Sequence, residues 1–271
     1  MHLQQDQAYD ASIPPLLSTT ITTYTSPVTP PQSHLQHQST VQETKHLYFA
    51  YGSNLSPTQM RVRCTHNPTL SAHPVAIAAL DSWRWLICQN GYANVVPPAG
   101  LRIGPQSVEG DAVQESVSDS IPHGGVYGVL YELSAEDERV LDGHEEVDHC
   151  SGLSLAGSGA DGMEGKVGIG VPAEIRPRDQ GNGSYNKWYL GARVVKWLDE
   201  EYRERNGFEG EGGEVKVLVY IDELRVRVAK PKNEYVPRMN RAIKEAVGLG
   251  FPQDWAEEVM RPSIPLEHPL D

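Results

Sequence analysis

The stretch "LYFAYGSNLSPTQM" (residues 47–60) ends an apolar run on Gly52-Ser53-Asn54 and starts a helix at once behind it. A strand that feeds a tight glycine turn and then a helix N-terminus concentrates backbone N–H groups lacking intrahelical partners. Those donors, with the helix dipole, attract an anion. Gly52 lets the backbone approach a ligand closely, while Ser53 and Asn54 add side-chain donors and tolerate unusual backbone angles. Tyr48 and Tyr51 can flank the ligand. With no Lys or Arg between Lys45 and Arg61, a carboxylate suits the turn better than a polyphosphate. The plain alternative is an ordinary turn followed by an ordinary helix cap.

Other chemistry-bearing residues are less organised. "CTH" (residues 64–66) and "DHC" (residues 148–150) put thiol and imidazole close in sequence, but neighbouring positions do not make a nucleophile–base dyad. Three cysteines, an odd count without a CxxC pair, signal neither a disulfide framework nor a zinc site, and the histidines lack ligand spacing. Trp83 and Trp85 alternate around Arg84 and read as the core face of a strand. "DEEYRER" reads as a solvated helical face.

The elements that must position the turn follow from local pattern. "HLYFAYG" is a strand. Pro57 to about Cys64 is a helix, with Ser56 as N-cap and Gln59 completing a capping box. "VAIAALDSWRWLIC" is extended with a turn at Asp81, and "YANVVPPAG" is another strand. "GVYGVLYEL" (residues 125–133) is a strand, followed by a short helix capped by Ser134, with Asp137 at its third position, Val140 and Leu141 facing inward, and Gly143 as its stop. "HEEVD" comes directly after that stop. "SYNKWYLGARVVKWL" is compatible with strand or helix, and its aromatic and β-branched content favours a strand. "VKVLVYIDEL" is a strand, and helices follow over "NEYVPRMNRAIKEAVGLG" and "PQDWAEEVM". The class is α+β: a small curled mixed β-sheet or barrel with flanking helices.

The chain has 271 residues, an apolar share of 39%, 25 Gly and 20 Pro, which suits one domain with a small core and long loops. Residues 1–44, rich in Ser, Thr, Gln, Pro and His, read as a disordered leader, and residues 45–271 as the folded domain, with loop insertions near 97–124 and 150–183. The formal net charge of −13 argues against nucleic acid or an anionic membrane as partner. No stretch approaches the roughly 18 apolar residues of a membrane span. The N-terminus lacks the charges of a signal or transit peptide, so a cytoplasmic location is expected.

"YFAYGSNL" resembles the opening block of the γ-glutamylcyclotransferase family. A second block of that family, a glycine-rich strand and short helix leading to Leu-Asp-x-x-Glu, is similar to "GGVYGVLYELSAEDERVLDGHEEV", with Leu141-Asp142-Gly143-His144-Glu145. A third, a late strand followed by a tyrosine, is similar to "VLVYIDELRVRVAKPKNEYVPRMNRAI", with Tyr235. The three blocks cover about half of the chain.

The resemblance implies release of 5-oxoproline from a γ-glutamyl compound, with Glu145 as general acid and base and Asp142 as a local hydrogen-bond acceptor. It implies substrate binding by Tyr48, Phe49, Ala50, Tyr51, Gly52, Ser53, Asn54 and Leu55, largely through backbone N–H groups, and by Tyr235. Neither metal nor cofactor is implied. The family's glutamate is generally followed by Gly, where this chain has Glu146. That second carboxylate either faces inward beside Glu145 or sits inert in solvent. Enlarged members of similar form occur in fungal routes to gliotoxin-type sulfur toxins, where the substrate is a glutathione adduct. A non-catalytic γ-glutamyl or carboxylate-binding module on the same fold is the alternative. Monomer and homodimer both stay open.

Overall fold

The computed structural model describes residues 47–98, 124–153 and 175–266. The expected leader (1–44) and most of the two expected insertions (99–123 and 154–174) lie outside the described residues. In chain order, β1 (Leu47–Ala50) runs through a single 3-10 turn (Ser53–Leu55) into α1 (Pro57–Arg63), followed by α2 (Pro68–Ser71), β2 (Pro74–Asp81), β3 (Arg84–Ile87) and β4 (Ala93–Val96). β5 (Gly125–Glu132), α3 (Ala135–His144), β6 (Asn186–Trp197), α4 (Glu200–Arg205) and β7 (Glu214–Ile221) come next. α5 (Tyr235–Leu249) and α6 (Gln253–Trp255) follow, the latter continuing into a π turn at Ala256–Met260.

Five strands close into a barrel in the order β1-β5-β2-β6-β7, while β3 and β4 form a separate antiparallel pair. All barrel pairings are antiparallel except the closing one, where β1 meets β7 in parallel through Leu47 opposite Val217 and Tyr48 opposite Leu218. The architecture is the expected small mixed barrel with flanking helices. Phe49, Leu130 and Trp188 share one face of this sheet and Ile77 and Leu218 the other, and all five are fully buried. Gly128 is required there: a Cβ on it would lie 2.5 Å from the Phe49 ring. β6 alternates buried and more exposed residues over its first ten positions, Asn186 to Val195, which settles this stretch as a strand.

The short helices carry the caps written in the sequence. Ser56 Oγ accepts the Gln59 N–H at 3.0 Å. The return arm of the capping box is absent, because the Gln59 side chain accepts from Arg241 instead. In α3, Leu141 is buried but Val140 only half-buried, and the helix passes Gly143 to end at His144.

Asp137 ties this helix to the loop behind α1. It is buried and accepts the backbone N–H groups of His66 and Asn67, each at 2.9 Å, and the Ser134 hydroxyl. Burial opposes its charge, yet these N–H groups and the hydroxyls of Ser71 and Ser134 hold its carboxyl below the usual range. Asp137→Ala strands two backbone donors and is expected to cost about 1–3 kcal/mol of stability at pH 7. Because the folded pKa is depressed, this contribution is complete above the unfolded carboxylate's value of about 3.9 and is lost as pH falls through the lower folded one. Melting curves of both proteins at pH 7 and pH 3 should therefore differ by less at pH 3.

Candidate functional site

The glycine turn is built by neighbours far away in sequence. Leu55 N–H closes it on Gly52 O at 3.0 Å, and Ser56 N–H follows on Ser53 O. The Trp85 indole donates to Tyr51 O at 3.0 Å, and the Tyr131 hydroxyl to Leu55 O at 3.2 Å. The run of N–H donors expected from Gly52 to Leu55 is thus partly engaged. Leu55's is used inside the turn, and Ser53's leans on Tyr235 Oη at 3.3 Å. Phe49, Ala50 and Leu55 are fully buried and do not line the neighbouring pocket, so these three expected substrate-binding residues lie in the core.

Glu145 is the C-cap residue of α3, where its own N–H donates to Leu141 O at 2.8 Å. Its carboxylate is 16% exposed and takes an ion pair from Arg63 at 2.7 Å. Asn54 Nδ2 reaches the same oxygen at 3.4 Å and donates to Tyr48 Oη at 2.8 Å. Asn54 Oδ1 is buried and takes no hydrogen bond among the described residues, an acceptor held ready for an ammonium or amide group. Burial, with the Glu145 charge adding to it, pushes the Tyr48 phenol far above its usual range, so it stays neutral. Since Asn54 donates to it, its own proton is available to a ligand.

Tyr235 opens α5 and sits across the turn. Its hydroxyl accepts long bonds from Ser53 N–H and Ala93 N–H, at 3.3 and 3.4 Å, which leaves its proton to be donated. Burial, first of several causes, pushes it up to about 12. The ring packs edge-on against Tyr92 at 5.0 Å.

These groups line a pocket of about 290 Å³, together with Tyr51, His144, Glu146, Ser184, Tyr185, Tyr220 and the cations Arg63, Lys232 and Arg238. Asp142 serves as a local acceptor: it holds the Tyr220 hydroxyl at 2.7 Å and pairs with Lys187 and His149. Burial and the charges of Arg63 and Arg238 keep the His144 imidazole below its usual range, although Glu145 opposes them. Glu146 is exposed at the wall with φ at +51°, the left-handed region where glycine is at ease. Its carboxylate is engaged by the Ser184 hydroxyl.

Sequence reasoning missed Arg63, Arg238, Lys232, Ser184 and Tyr185. Arg63 lies three residues after the buried Met60 on α1, which puts it on the inward side but says nothing of Glu145. The cysteine–histidine neighbours lead nowhere: Cys64 is buried and its thiol is pushed up to about 12 by burial. Among the described residues no group of three or more His, Cys, Asp or Glu side chains is arranged for a metal ion. Nor, among them, is any helix long and apolar enough to cross a membrane.

Gly52 is required for steric reasons, since its φ of −118° suits any residue. A Cβ there would lie 2.8 Å from Tyr235 Oη and 3.3 Å from Ala93 Cβ. Gly52→Val is expected to displace Tyr235 and weaken ligand binding by about tenfold or more, roughly 1.4 kcal/mol. Calorimetric titration of a γ-glutamyl dipeptide checks it.

No protein-family model and no curated protein matches the chain. Among solved structures, a gamma-glutamyl cyclotransferase is similar with 15% identity and a TM-score of 0.44, over 84% of this chain and 92% of that one. YkqA from Bacillus subtilis is similar with 14% identity and a TM-score of 0.46, over 84% of this chain and 57% of that one. Likenesses this distant carry no argument about activity, which has to be built from the pocket.

Proposed function

We propose that the chain is a γ-glutamylcyclotransferase acting on a small γ-glutamyl substrate in the cytoplasm, with neither nucleic acid nor membrane as partner. The observation that carries this reading is convergence. Gly52 to Asn54, Glu145 and Tyr235 come from three separate blocks of sequence and face one pocket. The substrate's α-amine attacks its own γ-carbonyl carbon. The new N–C bond closes 5-oxoproline, and the old C–N bond releases the amine. Glu145 takes the proton from the ammonium and returns it to the departing nitrogen, while Arg63 and Asn54 hold the Glu145 carboxylate in place. The second proton that the ring nitrogen sheds on closure leaves with the amine as its ammonium. The hydroxyl protons of Tyr48 and Tyr235 and the turn's N–H groups meet the substrate carboxylate and the developing oxyanion. The nucleophile is tethered, so much of the rate advantage is proximity.

In its finer form, the reading has the chain trim γ-glutamyl groups from a glutathione adduct, as in fungal gliotoxin-type routes. The Arg63–Glu145 ion pair favours a second reading, a γ-glutamyl-binding module without turnover, because it occupies the carboxylate that must accept a proton. Release of 5-oxoproline from γ-glutamyl-alanine, glutathione and a synthetic bis-glutathione adduct separates the readings. No release from any of them, with ligand still bound, leaves the binding module. A bis-glutathione adduct converted no better than γ-glutamyl-alanine removes the finer assignment.

A further inference from the structure

The glycine turn has spent part of its capacity to hold an anion. Leu55 N–H closes on Gly52 O, Ser53 N–H leans on Tyr235 Oη, and the turn's own stretch of sequence carries no cation before Arg61. A cation reaches it from α5 instead. Arg238 lines the same pocket, donates from Nη2 to the Ser53 hydroxyl at 2.8 Å and lies over the Tyr235 ring at 5.3 Å. Partly buried arginines such as Arg63, Arg176 and Arg261 each pair with a carboxylate, whereas Arg238 has no such partner among the described residues. Its Nε is buried and has no acceptor among them. A guanidinium drawn out of water towards a single hydroxyl is costly until an anion completes its bonding. The hydroxyl it reaches is prepared for the same anion: Ser53 Oγ accepts from Arg238, so its own proton is available to a ligand.

We infer that Arg238 is a substrate-binding residue that, with the Ser53 hydroxyl, holds the α-carboxylate of the γ-glutamyl head. The inference rests on the cyclotransferase reading above and adds to the turn a full charge that its backbone lacks. The head carries its ammonium and its carboxylate on one carbon, so the groups receiving them must stand side by side. Glu145 and Arg238 meet that requirement through neighbouring residues of the turn: Arg238 reaches Ser53, and Asn54 reaches Glu145. Both charges act on His144 and on Tyr235. The pocket's other cations are placed differently. Arg63 is committed to Glu145, and the exposed Lys232 rests on Tyr92 Oη at 3.2 Å. A head without its carboxylate leaves the Arg238 guanidinium unpaired.

The test compares γ-glutamyl-alanine with the compound in which the α-carboxylate is a carboxamide, which keeps the amine and the scissile bond and differs by one charge. Alanine release reads both. Wild-type protein is expected to prefer the acid about tenfold or more in kcat/KM. Arg238→Gln should lower kcat/KM for the acid about tenfold and for the amide by about threefold at most, and Arg238→Lys should recover part of the loss on the acid. A wild-type preference near one overturns the inference. So does an Arg238→Gln protein whose preference for the acid is retained, whether both rates fall together, as a merely structural role requires, or neither falls. Calorimetric affinities for the same pair, taken on Glu145→Gln protein with and without Arg238→Gln, separate this inference from the reading it rests on. Tighter binding of the acid that Arg238→Gln removes, without wild-type turnover, discards the cyclotransferase and keeps the carboxylate site. Equal binding of the two compounds, or binding of neither, overturns the carboxylate site.

Discussion

Glu145→Gln is expected to lower kcat by about a thousandfold or more, since a positioned general acid and base contributes roughly 10²–10⁴ and here one group serves both proton transfers. The amide is nearly isosteric and still accepts a hydrogen bond from Arg63, so the pocket keeps its shape and γ-glutamyl ligands should bind within a few-fold of wild type. A thermal melt within a few degrees of the parent, with 5-oxoproline release gone, is the expected pair of results. Wild-type rates would sink the role given to Glu145. Asn54 and Tyr48 are not substitutes, because neither side chain accepts a proton near neutral pH.

The largest stability effect is expected at Glu223, just past the end of β7. It is 1% exposed, yet its carboxylate accepts from Asn186 Nδ2 at 2.6 Å, Trp188 Nε1 at 2.8 Å and Arg176 Nη1 at 2.8 Å. Its backbone N–H donates to Gln180, which in turn reaches Asp222 and the carbonyls of Gly183 and Ser184. Glu223→Ala leaves a buried indole, an amide and a guanidinium facing a void, and should cost about 3–5 kcal/mol. The same knot fastens the segment that brings Ser184 and Tyr185 to the pocket, so KM should rise in whatever fraction stays folded. Denaturant unfolding of the two proteins decides it, and a difference under about 1 kcal/mol would show that the knot relaxes without loss.

Local features were the legible part of this sequence. The β1–turn–α1 passage, the caps at Ser56 and Ser134 and the strand character of β5 and β7 are written within windows of a few residues, where periodicity and capping chemistry operate. Two kinds of feature were not legible. One is any pairing between distant side chains: nothing near Arg63 or Glu145 names the other, and the grip of Trp85 on the Tyr51 carbonyl is equally silent. The second is charge that local chemistry does not require, such as Arg238, which reaches the Ser53 hydroxyl and has no acidic partner among the described residues. Glu146 falls between these kinds. Its departure from the family pattern was visible, but only the backbone angle of +51° explains why glycine suits that position, and only the geometry sends its carboxylate to Ser184. Likewise, at the far end of the second expected insertion Gln180 is buried and hydrogen-bonded to Asp222 and Glu223.

The parallel closure of β1 on β7 has a consequence for how the protein is made. Residue 47 has its barrel partner at residue 217, so a chain emerging from the ribosome carries an open sheet with unpaired edges until nearly the whole domain has been synthesised. Pairings this remote in sequence slow folding, and until they form the strand edges can recruit other chains. The pocket matures later still, because Tyr235 and Arg238 belong to the helix after the closing strand. Nascent chains therefore pass through a long interval in which Glu145 already exists but the wall opposite it does not, and a chaperone's protection matters most in that interval.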